Sequence, residues 1–139
     1  FGNGNLSFQD FLSYYQEPLK PYLNDNDVSF VMGDFRGVDT LAMELLKTNS
    51  VNVSVYHLFE APRYLPDKYK TKVGAWKLQG GFGSDEERDS AMISCCTHFL
   101  GVDVNSSPKR ESGTSKNLQK CLDAGKAGIG DEWITSPVQ

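Results

Sequence analysis

A chain of 139 residues, 39% of them hydrophobic and 12% aromatic, is long enough to bury one core, which excludes a disordered protein and favours a single domain over residues 1–139. The formal net charge of −4 argues against a broad binding face for nucleic acid. No apolar run approaches the roughly 20 residues of a membrane span and no signal peptide is visible, so we expect a cytoplasmic protein without membrane contact.

The first predicted helix begins after Ser7, whose hydroxyl can cap it, with Asp10 at the third helical position as in a capping box. Pro18 and Pro21 are expected to kink its second half, because proline lacks the amide hydrogen that a helix uses. The face that we expect to pack on the core carries Phe8, Phe11, Leu12, Tyr15 and Leu19.

A strand, a glycine turn and a helix follow. An apolar run over residues 28–32 predicts the strand, and apolar residues at the helical period predict a helix from Val38 to about Thr48. Such a turn is typical of anion sites, because glycines let the backbone approach a ligand and the helix start offers free N–H groups. A structural turn, with Arg36 paired to a neighbouring aspartate, fits the spacing equally well. The candidate ligand contacts are Gly33, Asp34, Arg36, Gly37 and Asp39.

Alternating valines predict the next strand over residues 51–56. Residues 60–83 show weak periodicity, with prolines early and glycines late, which predicts a long loop insertion with one short helix at about 69–78. Beside an α/β core, such a loop is either a lid or binding loop or an insertion without function, and the composition fits both interpretations.

The rest of the chain continues the alternation of helices and strands. Ser84 caps a helix with an acidic first turn, and an apolar run predicts a strand over 97–102. A last helix is expected from Ser112 to Gly125, followed by an edge strand over 132–135. This alternation predicts an α/β fold with a parallel sheet between two layers of helices, in which ligands bind at the edge where the strands end.

The cysteines and histidines form no recognisable site. Cys95 and Cys96 are adjacent, and Cys121 would be left over in either pairing, so no disulfide framework is expected. Together with the two histidines they also fit no zinc pattern. We therefore expect reduced thiols, no metal and no cofactor.

The segment G-D-F-R-G-V-D-T-L-A over residues 33–42 resembles the G-x-x-R-G-x-D-x-L-A signature of the SLOG superfamily. That superfamily includes Lonely-guy-type nucleotide phosphoribohydrolases and the DNA-processing protein that loads recombinase. The resemblance covers about residues 28–126 and implies a three-layer Rossmann-like sandwich with a mostly parallel sheet. The first strand of such a fold is either missing or trimmed here, and residues 1–5 would be the remnant of its phosphate turn.

Two further segments carry the resemblance. Residues 83–92 look like the R-x-x-x-M helix of the superfamily, which implies that Arg88 holds a phosphate or ribose; on charge alone, a solvated helix face is the better interpretation. Residues 111–117 resemble its G-G-x-G-T phosphate loop in shortened form. The expected anion contacts there, compatible with an ordinary helix cap, are Ser112, Gly113, Thr114 and Ser115.

Three functions follow as hypotheses. The first is a domain that binds a nucleotide or nucleotide-derived molecule at the glycine turns. The second is an N-glycosidic hydrolase or nucleoside deoxyribosyltransferase-like enzyme acting on nucleoside monophosphates, although Lys116 and Asn117 occupy the region where the phosphoribohydrolases carry a catalytic glutamate. The third is a protein that sequesters a signalling nucleotide or docks on a partner, for which a homo-oligomer is one arrangement to test.

Overall fold

The computed structural model describes residues 1–107 and 109–129, which form a small α/β fold with a mostly parallel sheet, as predicted. Strands β1 (Phe30–Met32), β2 (Val53–Leu58) and β3 (Lys77–Phe82) form one sheet in that order, and both pairs are parallel. Strands β4 (His98–Phe99) and β5 (Ala127–Gly128) pair in parallel as a separate two-stranded sheet.

The first helical region is irregular, as its prolines predict. It consists of α1 (Phe8–Phe11), a π-helical turn (Leu12–Gln16), α2 (Glu17–Leu19) and a 3₁₀ turn (Lys20–Tyr22). The cap at Ser7 is confirmed, since its Oγ accepts a hydrogen bond from the Asp10 amide at 3.1 Å. Pro18 has no amide hydrogen to donate one turn back, which explains why the regular helix is interrupted before it.

The three longer helices are α3 (Val38–Leu46), α4 (Asp85–Cys95) and α5 (Gly113–Asp123). The predicted caps of the last two are confirmed, because the side chain of Ser84 accepts from the Glu87 amide and that of Ser112 accepts from the Ser115 amide. Helix α3 packs on β1 and β2, and the buried residues of this core are Met32, Met43, Leu46, Val53, Val55, Val73 and Trp76. Complete burial of each such side chain contributes about 1.5–3 kcal/mol.

A second cluster of buried residues joins the N-terminal segment to the rest of the fold. It contains Leu6, Phe11, Tyr15, Val38 and Val102. The Tyr15 hydroxyl donates to the Phe1 carbonyl and accepts from the Val102 amide at 3.0 Å. Among the described residues no strand precedes the first helix, but Gly2 forms a one-residue parallel bridge with Val102. Residues 1–3 therefore run beside the segment that follows β4.

The prediction of one long loop over 60–83 is wrong for its second half. The chain is irregular as far as Lys72, then forms a 3₁₀ turn (Val73–Ala75) and β3, whereas a helix at 69–78 was expected. Strand β3 lies at the edge of the sheet, and all its residues except Phe82 are exposed. It therefore lacks the alternation of apolar and polar residues that identifies a half-buried strand.

Smaller differences concern the ends of elements. Strand β2 begins and ends two residues later than predicted, and β4 spans only His98–Phe99 of the expected 97–102. The edge strand expected over 132–135 lies outside the described residues. All three cysteines are free thiols. Within residues 1–107 and 109–129, no helix combines the length and apolar character needed to cross a membrane.

Candidate functional site

The starts of three helices and the N-terminal segment enclose one cavity of about 300 Å³. Gly33, directly after β1, and Asp39, in the first turn of α3, form one side of it. Helix α4 contributes Asp85, Arg88, Asp89 and Met92, and the start of α5 contributes Ser112, Gly113, Thr114 and Asn117. Its remaining lining residues are Phe1, Gly2, Asn3, Gly4, Phe35, Asn105 and Arg110. The three segments singled out in the sequence therefore converge.

The turn after β1 places its residues unevenly around the cavity. Gly33 and Phe35 line it, whereas Arg36 is exposed and does not. Gly37, just before α3, has a φ of +100°, and a Cβ added to it would lie 2.5 Å from Cα of Gly4. The close approach of these two glycines brings the N-terminal segment to the cavity. Ligand contacts by Arg36 and Gly37 remain predictions.

Asp39 is a half-buried carboxyl group at the edge of the cavity. Its Oδ2 accepts a hydrogen bond from the Phe35 amide at 3.0 Å. A Cβ added to Gly33 would lie 2.9 Å from that oxygen and 2.9 Å from Cζ of Arg88, so residue 33 must be small. Burial raises the pKa of Asp39, while the N-terminal amino group and Arg88 act in the opposite direction. Asp39 is thus a carboxyl group that holds its proton more tightly than usual.

Arg88 is buried, with 4% of its side chain exposed, and it joins three carboxylates. Its Nη1 lies 2.8 Å from Asp34 and 3.0 Å from Asp85, and its Nε donates to Asp89 at 3.0 Å. Asp89 in turn accepts from Nδ2 of Asn117 at 2.8 Å, which ties α4 to α5. The guanidinium expected to hold a phosphate therefore lines the cavity, but it is already bonded to the protein.

Asp34 lies behind the cavity lining and is buried, with 1% of its surface exposed. The Arg63 backbone amide and Nε donate to its Oδ2, and Nη2 of Arg63 donates to its Oδ1 at 2.8 Å. Burial alone would raise the pKa of Asp34, but the bonds from Arg63 and the charges of Arg63 and Arg88 hold it below its usual value. Among the described residues, Asp34 pairs with Arg63 and Arg88, whereas the structural alternative for this turn had Arg36 paired with Asp34 or Asp39.

The start of α5 is organised by two residues that the sequence reading did not single out. Oδ1 of buried Asp103 accepts from the Ser112 hydroxyl at 2.6 Å, and from Nδ2 of Asn3 at 3.3 Å. The same Asn3 amide group donates to the Thr114 hydroxyl at 3.3 Å. Burial alone would raise the pKa of Asp103. Hydrogen bonds, above all those from the Ser106 and Ser112 side chains, outweigh this effect, and the pKa is lowered. No local pattern links Asn3 to Asp103, because they are 100 residues apart.

The backbone at the start of α5 keeps unused donors. Among the described residues, the amides of Gly113 and Thr114 have no acceptor, as is usual for the first two residues of a helix. Both residues line the cavity, whereas Ser115 donates its hydroxyl to Glu111 outside it. The first turn of α5 also contains no acidic residue, unlike those of α3 and α4. An anion contact here fits the geometry for Gly113 and Thr114.

The cavity combines these polar groups with one exposed aromatic ring. Phe35 is 40% exposed at its edge, and Cζ of Arg63 lies 5.3 Å from the centre of that ring. Asn3, Asn105 and Asn117 add amide groups to the lining. Within the described part of the chain, no three His, Cys, Asp or Glu residues are grouped to hold a metal ion. Comparison with known protein families, curated proteins and solved structures finds no match for this chain.

Proposed function

We propose that the chain binds a nucleotide or nucleotide-derived small molecule in this cavity. The observation that carries the proposal is the convergence of three helix starts on one cavity with charged and amide side chains in its lining and an aromatic ring at its edge. Helix starts carry a partial positive charge and free amides, which suits a single anionic group. Carboxylates accept hydrogen bonds from sugar hydroxyls, and side-chain amides both donate to and accept from them. An exposed phenyl ring offers a stacking surface for a planar base.

The cavity size agrees with this class of ligand. About 300 Å³ is at the small end of the range of small-molecule sites. Its lining is concave and about equally polar and apolar, with Phe1, Phe35 and Met92 as apolar side chains. A ligand with one flat ring and several hydroxyl groups would satisfy both kinds of surface. This is the composition of a nucleoside.

Replacing Phe35 by alanine is expected to weaken nucleoside binding about tenfold or more, since stacking of a base on an aromatic ring contributes about 1–3 kcal/mol. Isothermal titration calorimetry with a panel of nucleosides, nucleoside monophosphates and ADP-ribose measures this effect. Phe8→Ala is the matched control, because Phe8 is 59% exposed and does not line the cavity. Equal affinities of the two variants, or a panel without any binding, would contradict the proposal.

A second function, cleavage of an N-glycosidic bond, is favoured by one specific observation. Asp39 is a carboxyl group with a raised pKa at the edge of the cavity, and two further carboxyl groups, Asp85 and Asp89, line it. Hydrolysis needs a proton donor for the departing base and a carboxylate near the anomeric carbon. Asn117, in the region where the resemblance expects a glutamate, holds the Asp89 carboxylate at 2.8 Å. Asp39 is then the proton donor, and Asp89 supports the attacking water.

Asp39→Asn separates catalysis from binding. If the chain is a hydrolase, we expect this variant to lose release of free base by about a hundredfold or more, measured by chromatography, while calorimetry still detects binding. Because the folded state raises the pKa of Asp39, native stability falls as pH rises through and above the ordinary value of 3.8. The asparagine variant should therefore be at least as stable at pH 7, and lost activity would not reflect unfolding. Absence of release by the unmodified chain, with binding retained, would remove the enzymatic function and leave the binding function.

A further inference from the structure

We infer that the cavity selects ligands with at most one phosphate group and excludes polyphosphates. This inference rests on the proposed function and adds the charge class of the ligand. It follows from the number and position of the charged groups around the cavity. The resemblance to a nucleotide-binding superfamily does not require it.

The lining is poor in available positive charge. Its cations are the guanidinium groups of Arg88 and Arg110 and the amino group of Phe1, which already donates to the Leu100 carbonyl at 2.8 Å. Its acidic side chains are Asp39, Asp85 and Asp89. Burial raises the pKa of Asp39, so the carboxylates of Asp85 and Asp89 are the main negative charges of the lining. The carboxylates of Asp34 and Asp85 both contact Nη1 of Arg88, at 2.8 and 3.0 Å, and the carboxylate of Asp89 contacts Nη2 at 3.0 Å. A ligand phosphate would have to displace one of these contacts inside a buried network, which costs the energy of a buried ion pair.

The start of α5 is the place where one anion fits. It offers the amides of Gly113 and Thr114, and Arg110 is exposed nearby and makes no ion pair with the described residues. The carboxylate of Asp103 lies directly behind this helix start, 2.6 Å from the Ser112 hydroxyl, and reduces its positive potential. These groups can balance the charge of one phosphate, but none of them then remains to contact a second or third phosphate.

Further phosphates would meet the carboxylates across the cavity. Two negative charges that face each other across a cavity repel more strongly than in bulk water, because the effective dielectric constant is lower there, and salt reduces this repulsion. Each additional phosphate is therefore expected to weaken binding to this cavity. At a site built of lysines and arginines, each additional phosphate would strengthen binding. Polyphosphate sites show the opposite composition, with lysine and a glycine-rich backbone around the phosphates.

The test is a calorimetric series of a nucleoside with its mono-, di- and triphosphates, in EDTA so that no magnesium masks the charge. We expect affinity to fall at least about tenfold from the monophosphate to the triphosphate. An affinity that rises with each phosphate would overturn this inference and leave the proposed function standing. If no member of the series binds, the proposed function and this inference fail together.

A pair of variants tests the cause. Asp85→Asn removes a carboxylate from the lining and should raise the affinity for the triphosphate about threefold to tenfold relative to the affinity for the nucleoside. Glu86→Gln is the matched control, since it removes the same charge from the same helical turn, does not line the cavity and should change neither. An equal gain in both variants would show a general effect of net charge and would contradict selection by the lining.

Discussion

Asp34→Ala is expected to lower the free energy of unfolding by about 3 kcal/mol, measured by urea titration at pH 7. The buried carboxylate of Asp34 holds Arg88 at 2.8 Å and accepts three hydrogen bonds from Arg63. Its removal leaves the buried Arg88 guanidinium with two of its three carboxylates, and it detaches the Arg63 segment from the end of β1. The loss of a buried partner costs more than the pair itself contributes, because the remaining charge stays desolvated.

The position of the carboxylate, and not merely its charge, should determine this loss. Asp85→Asn is the control, because Asp85 pairs with the same two arginines but is 46% exposed, and it should cost less than about 1 kcal/mol. The folded state lowers the pKa of Asp34, so its contribution is present above its ordinary value of 3.8 and disappears as pH falls through the lower native value. The difference between Asp34→Ala and the unmodified chain should therefore shrink in acid. Equal losses for the two variants would contradict a buried anchor.

The same network shows what sequence reasoning can and cannot reach. The strand, turn and helix around Gly33 were predictable, because a turn glycine and the spacing of apolar residues in a helix are signals contained in a short stretch of sequence. The ion pair between Asp34 and Arg63 was not, since 29 residues separate them and Arg63 lies in a stretch without periodicity. Arg36 was the cation predicted for this site, because it is adjacent in sequence to the turn. The structure instead brings Arg63 and Arg88 to the end of β1.

Strand β3 was missed for a different physical reason. It is held by backbone bonds to β2, and its own side chains bury little surface. Gly80 fits there because the ring of buried His57 lies against it, and a Cβ at this position would overlap that ring. Glycine in a strand weakens the local preference for extended structure, so composition favoured a loop. Only the packing of β2 explains why the chain is extended at this point.

Gly37→Ala is expected to lower the free energy of unfolding by about 3 kcal/mol or more and to abolish ligand binding. The φ of +100° at Gly37 is unfavourable for any residue with a side chain. A Cβ would also lie 2.5 Å from Cα of Gly4 and 2.7 Å from its carbonyl oxygen, which are backbone atoms that no rotamer change can move. The N-terminal segment must then leave its place, and with it Gly2, Asn3 and Gly4 leave the cavity.

Two glycine variants separate the causes of this effect in the same urea titrations. Gly81 has a φ of +92° but nothing within 4 Å of an added Cβ, so Gly81→Ala should cost only the backbone strain, about 1 kcal/mol. Gly74 has neither feature, and Gly74→Ala should change stability by less than about 1 kcal/mol. If Gly37→Ala cost no more than Gly81→Ala and kept its ligand, the approach of Gly4 would contribute nothing. If Gly37→Ala did lose this stability and still bound its ligand, the displaced N-terminal segment would not be a wall of the site.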